Sequence, residues 1–176
     1  MARGEDLAVG RLGQDDPLAG GEQRGQVEVA LGAERHRPFE GCPGRFAGLR
    51  ERALHIRKET PYAVVSGISG VVYEICWYIR GLEQWFCDLL GDPAFCEAML
   101  DQTLKYWMDW FRLFLDEVGD VVDVIMIGDD LAGQDGPLFN PEIYRRLVKP
   151  RHKRLVQYIR SRTKAKIWYH TCGSCA

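Results

Sequence analysis

Val122–Asp130 reads VDVIMIGDD, a β-branched apolar run that stops at one glycine and two aspartates. A run this short and this continuously apolar predicts a strand covered on both faces, the mark of a parallel sheet. Two further stretches have the same character: YAVVS at 62–66, closed by glycines, and AKIWYH at 165–170, followed by TCGSCA. Helical text lies between them. GVVYEICWYIRG (70–81) and LEQWFCDLL (82–90) are apolar on most sides and predict buried helices. The stretch 91–120 predicts the clearest helix, with Asp92 as N-cap, Pro93 at the first helical position and Gly119 as the close. Phe95, Met99, Tyr106, Trp110 and Phe114 recur near the helical period and predict its core-facing stripe. After VDVIMIGDD comes a loop, then Asn140-Pro141 opens a helix through residue 162 that Pro150 is expected to kink. Strands joined by helical crossovers of this length cannot be hairpins, so the sheet is parallel and the class α/β.

Upstream the text divides at Gly44. Residues 1–43 are rich in Gly, Arg, Asp and Glu, with no aromatic before Phe39, and predict a poorly ordered tail in which only QVEVAL has strand character. Residues 44–176 carry the domain, opening with a helix whose inner stripe is Phe46, Leu49, Ala53 and Ile56 and which Pro61 ends. The 176 residues are 46% hydrophobic and 27% charged, with a formal net charge of -2. That balance gives no electrostatic reason to expect nucleic acid or an anionic membrane as partner. No apolar run approaches the roughly 20 residues that span a bilayer. No secretory signal is visible, and the six cysteines are scattered, three of them within apolar helical text. Reduced thiols in a cytoplasmic protein are therefore expected.

Polar chemistry collects at strand ends. Asp129 and Asp130 follow one strand, and His170 and Cys172 follow another. In parallel α/β architectures that edge binds ligands. Adjacent aspartates point opposite ways, and Asp129, directly after the strand and Gly128, is the one expected to face a pocket. It would orient substrate or a histidine as the catalytic candidate, with Asp130 and Gln134 as substrate-binding candidates and Asp135 a weaker one. His170 and Cys172, two apart on one strand, share a face and make half a metal site, which Cys175 could extend. Three readings of this cluster stay open from the residues alone: a zinc site, a C-x-x-C redox pair, and a histidine and cysteine that hold nothing. The basic run YRRLVKPRHKRL (144–155) predicts a solvated helix face with His152 exposed and idle.

The stretch VIMIGDDLAGQDGPLFNPEIYRRLVKPRHKRLVQYIRSRTKAKIWYHTCGS (124–174), with the helical text from GRFAGLRERA onward, resembles the uroporphyrinogen decarboxylase superfamily over residues 44–176. The resemblance implies a (β/α)8 barrel, here partial, with about three barrel strands. It implies one of two chemistries. One is zinc-dependent methyl transfer from a corrinoid protein to a thiol, in which the H-x-C-G histidine and cysteine are zinc ligands and match His170 and Cys172. The other is cofactor-free decarboxylation of uroporphyrinogen III in tetrapyrrole (haem) biosynthesis, with Asp129 facing the tetrapyrrole. The methyltransferase branch is the expected one. The family's Arg-containing N-terminal motif has no counterpart in residues 1–43, and the family's further cysteine lies beyond Ala176. The expectation is accordingly a fragment that is inactive alone, a non-catalytic remnant being the last alternative. Open sheet edges would then favour self-association.

Overall fold

The computed structural model describes strand residues 27–29, residue 44, and residues 46–175. The predicted tail otherwise lies outside the described residues, as does Cys42. In chain order the elements are β1 (Val27–Val29), α1 (Leu49–Glu59), β2 (Ala63–Ser69), α2 (Glu74–Arg80), α3 (Leu82–Gly91), α4 (Pro93–Val118) and β3 (Val124–Gly128). A two-strand hairpin β4 (Ala132–Gly133) and β5 (Gly136–Pro137) follows, then α5 (Pro141–Ile143), a π turn (Tyr144–Val148), α6 (Lys149–Arg160) and β6 (Lys166–His170).

Strands β1, β2, β3 and β6 form one parallel sheet in that order. Sequential order without reversal is the singly wound arrangement of a barrel; a doubly wound sheet reverses direction at its centre. The class is therefore α/β, and the described strands make up part of a (β/α)8 barrel. Register confirms which face the helices cover. Val64, Ile68, Ile125 and Ile127 join the core with α1, α4 and α6, while Ile167 and Tyr169 pack against it. The alternate residues face away from the helices: Gly67, Met126 and Trp168 share one rung, and Ser69, Gly128 and His170 the next. Ser69 and Lys166 on that second face are exposed, and Trp168 is 53% exposed. VDVIMI was expected to be covered on both faces; Ile125 and Ile127 are buried under the helices, whereas Val124 and Met126 on the other face are only half-buried, because the described helices lie on one side.

The helices follow the same rule. α2 and α3 are not buried all round as their composition suggested, since each packs in a single layer: Ile79 is 66% exposed and Leu90 77%. Cys87, expected inside, is exposed, whereas Cys76 and Cys96 are buried. On α4, Asp92 caps as predicted, its carboxylate accepting the Phe95 N–H at 3.0 Å. The inner stripe is shifted by about one residue from the predicted one, with Cys96, Leu100, Leu104 and Phe111 inside and Phe95 40% exposed. Trp110 and Phe114 belong to both stripes, stacked at 5.0 Å between centroids. Gly119 closes α4 in right-handed conformation; a Cβ there would sit 2.6 Å from the Leu115 carbonyl oxygen. Pro150 lies two residues past the π turn, and the wider turn is how the helix absorbs a missing N–H and a bulky ring. No described helix is long and apolar enough to cross a membrane.

Candidate functional site

Alternation along β3 decides what each aspartate does. Asp129 continues the row of Ile125 and Ile127, so its side chain enters the helix layer, where the residue is wholly buried. There its carboxylate accepts the N–H groups of Val72 (3.0 Å), Tyr73 (3.1 Å) and Glu74 (2.8 Å), the lead-in and first turn of α2. Its fourth partner is His152, whose Nε2 donates to Oδ2 at 2.7 Å. Asp129 is thus the anchor of a helix start and a buried histidine, and the expectation that it, rather than Asp130, faces the open side is reversed. His152, expected to be exposed and idle, is 6% exposed and lies edge-on to Tyr169.

Asp130 takes the place on the other side. Its ligand oxygen, a ring nitrogen of His170 and the Cys172 sulfur all lie within 4.8 Å of one another. Cys172 Sγ is 3.4 Å from His170 Nε2, and the Cys172 N–H donates to Asp130 Oδ1 at 3.0 Å. Gly128 makes this approach possible: it pairs with His170 across the ladder, and a Cβ on it would stand 2.8 Å from the His170 carbonyl oxygen. The turn after β6 is fastened to the loop after β3 through Leu131 N–H to Thr171 Oγ1 (3.1 Å) and Ser174 N–H to the Gly133 carbonyl (2.9 Å). Gly173, at φ 81°, passes so close to Ala132 and Gly133 that a side chain there would collide with their carbonyl oxygens.

The local field is anionic. The Asp130 carboxylate beside it holds the Cys172 thiol above its ordinary value, with Glu74 adding to the effect. Burial pushes the Glu74 carboxyl up, partly offset by its hydrogen bonds from Tyr78 and the Asp130 N–H. No Lys or Arg forms an ion pair with Glu74 or Asp130 among the described residues.

The remaining predicted site residues lie apart from this cluster. Cys175 is exposed and its sulfur sits 3.8 Å from Thr171 Oγ1. Gln134 and Asp135 form the exposed tip of the β4–β5 hairpin. Sequence reasoning placed Asp130 in the cleft only as a substrate contact; extending the β3 alternation by two residues would have put it beside His170 and Cys172. Glu74 was overlooked altogether. Its signal was an acidic residue at the first helical position after a Gly-bounded strand, an ordinary helix-start preference that does not by itself mark a site.

No curated protein and no solved structure matches the chain. A family model described as Uroporphyrinogen decarboxylase (URO-D) matches residues 33–176, which takes in every element from α1 to β6 and both strand ends that form the cluster. The chain belongs to the uroporphyrinogen decarboxylase family.

Proposed function

We propose that the chain carries the zinc-binding part of a thiol-activating methyltransferase, with Asp130, His170 and Cys172 as the ligands. The observation that carries this reading is the convergence of a carboxylate, an imidazole and a thiol within 4.8 Å at the carboxyl ends of two adjacent parallel strands. The donor set fits. Sulfur, ring nitrogen and carboxylate oxygen are zinc's usual ligands, and three protein ligands leave a fourth position for substrate. The 3.4 Å between Sγ and Nε2 is close to the edge of a tetrahedron with bonds of about 2.0–2.3 Å. Bound zinc supplies Lewis acidity that lowers the pKa of a substrate thiol.

The protein's own residues do the rest. The ladder between β3 and β6 sets Asp130 and His170 side by side, and the Cys172 N–H on Asp130 keeps the carboxylate turned toward the sulfur. Trp168, one rung down on the same face, offers an apolar surface beside the cluster for the non-reacting part of a small substrate. Asp129 acts from beneath by holding the start of α2, without touching substrate. In this reading the methyl donor is a corrinoid protein.

Zinc measured on the purified chain tests the proposal. About one ion per chain is expected, falling to near zero in Cys172→Ser and His170→Ala. A wild-type protein that takes up no zinc would sink it. Metal-independent decarboxylation of uroporphyrinogen, unaltered by Cys172→Ser, would instead support the decarboxylase branch.

A further inference from the structure

We infer that Glu74 and Tyr78, on the first two turns of α2, are positioning residues for the Asp130–His170–Cys172 cluster, an inference that rests on the zinc reading above. Glu74 is 6% exposed and both its oxygens are engaged: Oε1 accepts the Tyr78 hydroxyl at 2.5 Å, and Oε2 accepts the Asp130 N–H at 3.2 Å. Asp130 in turn accepts the Cys172 N–H. The chain of contacts therefore runs from Tyr78 through Glu74 to the main chain of one ligand, and through that ligand to the main chain of another.

Two anchors fix where Glu74 can be. The Gly128 carbonyl accepts the Gly70 and Val71 N–H groups at 2.8 and 3.2 Å, and the Asp129 carboxylate accepts the next three amides, ending with that of Glu74 itself. Gly70 adopts φ 74°, which lets Glu74 and Tyr78 close over its backbone: a Cβ there would lie 3.6 Å from Glu74 Cδ and 3.7 Å from Tyr78 Cε2. Both anchors come from the end of β3, so the Glu74 carboxylate is set relative to Asp130 by the strand that bears Asp130.

The charge pattern argues that this arrangement serves a cation and not folding alone. A nearly buried carboxylate is costly unless it is paired. Glu74 has only neutral hydrogen-bond partners, one of them the N–H of Asp130, a second acidic residue, and no Lys or Arg is in ion-pair contact with it among the described residues. A divalent ion on Asp130, His170 and Cys172 supplies the missing positive charge, and outer carboxylates that orient metal ligands are a regular part of such sites. Tyr78 completes the arrangement by donating to Glu74, which fixes the carboxylate's rotation and leaves Oε2 for Asp130.

Cobalt(II) titration of the full chain, followed by the thiolate-to-cobalt absorption band and by competition with zinc and a chelator, tests the inference. Glu74→Ala is expected to weaken cobalt and zinc binding by about 10- to 100-fold, Glu74→Gln by less, and Tyr78→Phe by a few fold, all three keeping the thiolate band. Cys172→Ser abolishes that band. Thr103→Val, a buried control that hydrogen-bonds the Val72 carbonyl at 3.0 Å, lowers the melting temperature without changing metal affinity. Tyr78 is 66% exposed, so its phenylalanine variant folds even if Glu74→Ala does not. Unchanged affinity in Tyr78→Phe and Glu74→Gln overturns the positioning role while the zinc site stands. A wild-type chain that binds neither metal overturns both.

Discussion

Asp129 accepts four hydrogen bonds at zero exposure, and its removal should be the most damaging single change at the strand ends. Asp129→Ala strands three buried amides and an imidazole, and a loss of about 3–5 kcal/mol in urea unfolding is expected. His152→Ala removes one donor of the four and should cost about 1–3 kcal/mol. The reverse order would mean that the helix start does not depend on the carboxylate. Gly128→Ala drives a methyl toward the His170 carbonyl oxygen and Cβ, at 2.8 and 3.2 Å. It should cost about 1–3 kcal/mol and weaken zinc binding, because the rung that carries His170 must shift. At this scale the sequence showed which residues sit at strand ends, since run length and glycine placement mark those positions. It did not show which aspartate faces which side. That needed the phase of Ile125 and Ile127 against the helix layer, and a run apolar at every position conceals its phase.

The α5–π–α6 segment is where helical periodicity misled. Ile143, Leu147, Leu155 and Ile159 are buried at multiples of four residues, and each such step overshoots an α-turn by about 40°. The π turn at Tyr144–Val148 takes back part of that drift and brings Arg151 and His152 to the inside of a run that reads as a solvated basic face. Arg151, 9% exposed, then clamps α6 to α4: it grips both oxygens of Asp101 at 2.9 and 2.8 Å and the Leu147 carbonyl at 2.6 Å. Arg151→Ala should lower stability by about 1–3 kcal/mol, the range for hydrogen bonds to charged groups. The hydrogen bond from Arg151 holds the Asp101 carboxyl below its ordinary value. A depressed folded-state value stabilises above the unfolded carboxylate range and is lost as pH falls through the folded one. Asp101→Asn should therefore be less stable than wild type at neutral pH, and the two should converge below about pH 4. A gap in unfolding midpoint that persists in acid would contradict the assignment.

For the molecule as a whole, α/β class, parallel pairing and helical crossovers were legible from three apolar runs and the text between them. One-sided covering of the sheet was not, because apolar strand residues look alike whether or not a helix lies above them. The uncovered face has a direct optical consequence. Trp85, Trp107 and Trp110 are buried and Trp77 half-buried, so Trp168 should dominate acrylamide quenching of tryptophan fluorescence. Trp168→Phe should remove most of the quenchable emission, and an unchanged quenching curve would mean that this face is covered in solution. Association of two copies through the sheet is the proposal that such a result would favour, with sedimentation as its check. Asp129 bears on the order of folding as well. Its partners lie 56 residues upstream, at Tyr73, and 23 downstream, at His152, in different crossovers. Neither β/α unit can form around that carboxylate without the other, since a half-built shell leaves a buried charge short of donors. The two units are thereby coupled into one cooperative transition, and the amide protons of Val72, Tyr73 and Glu74 exchange with solvent only when the whole sheet opens.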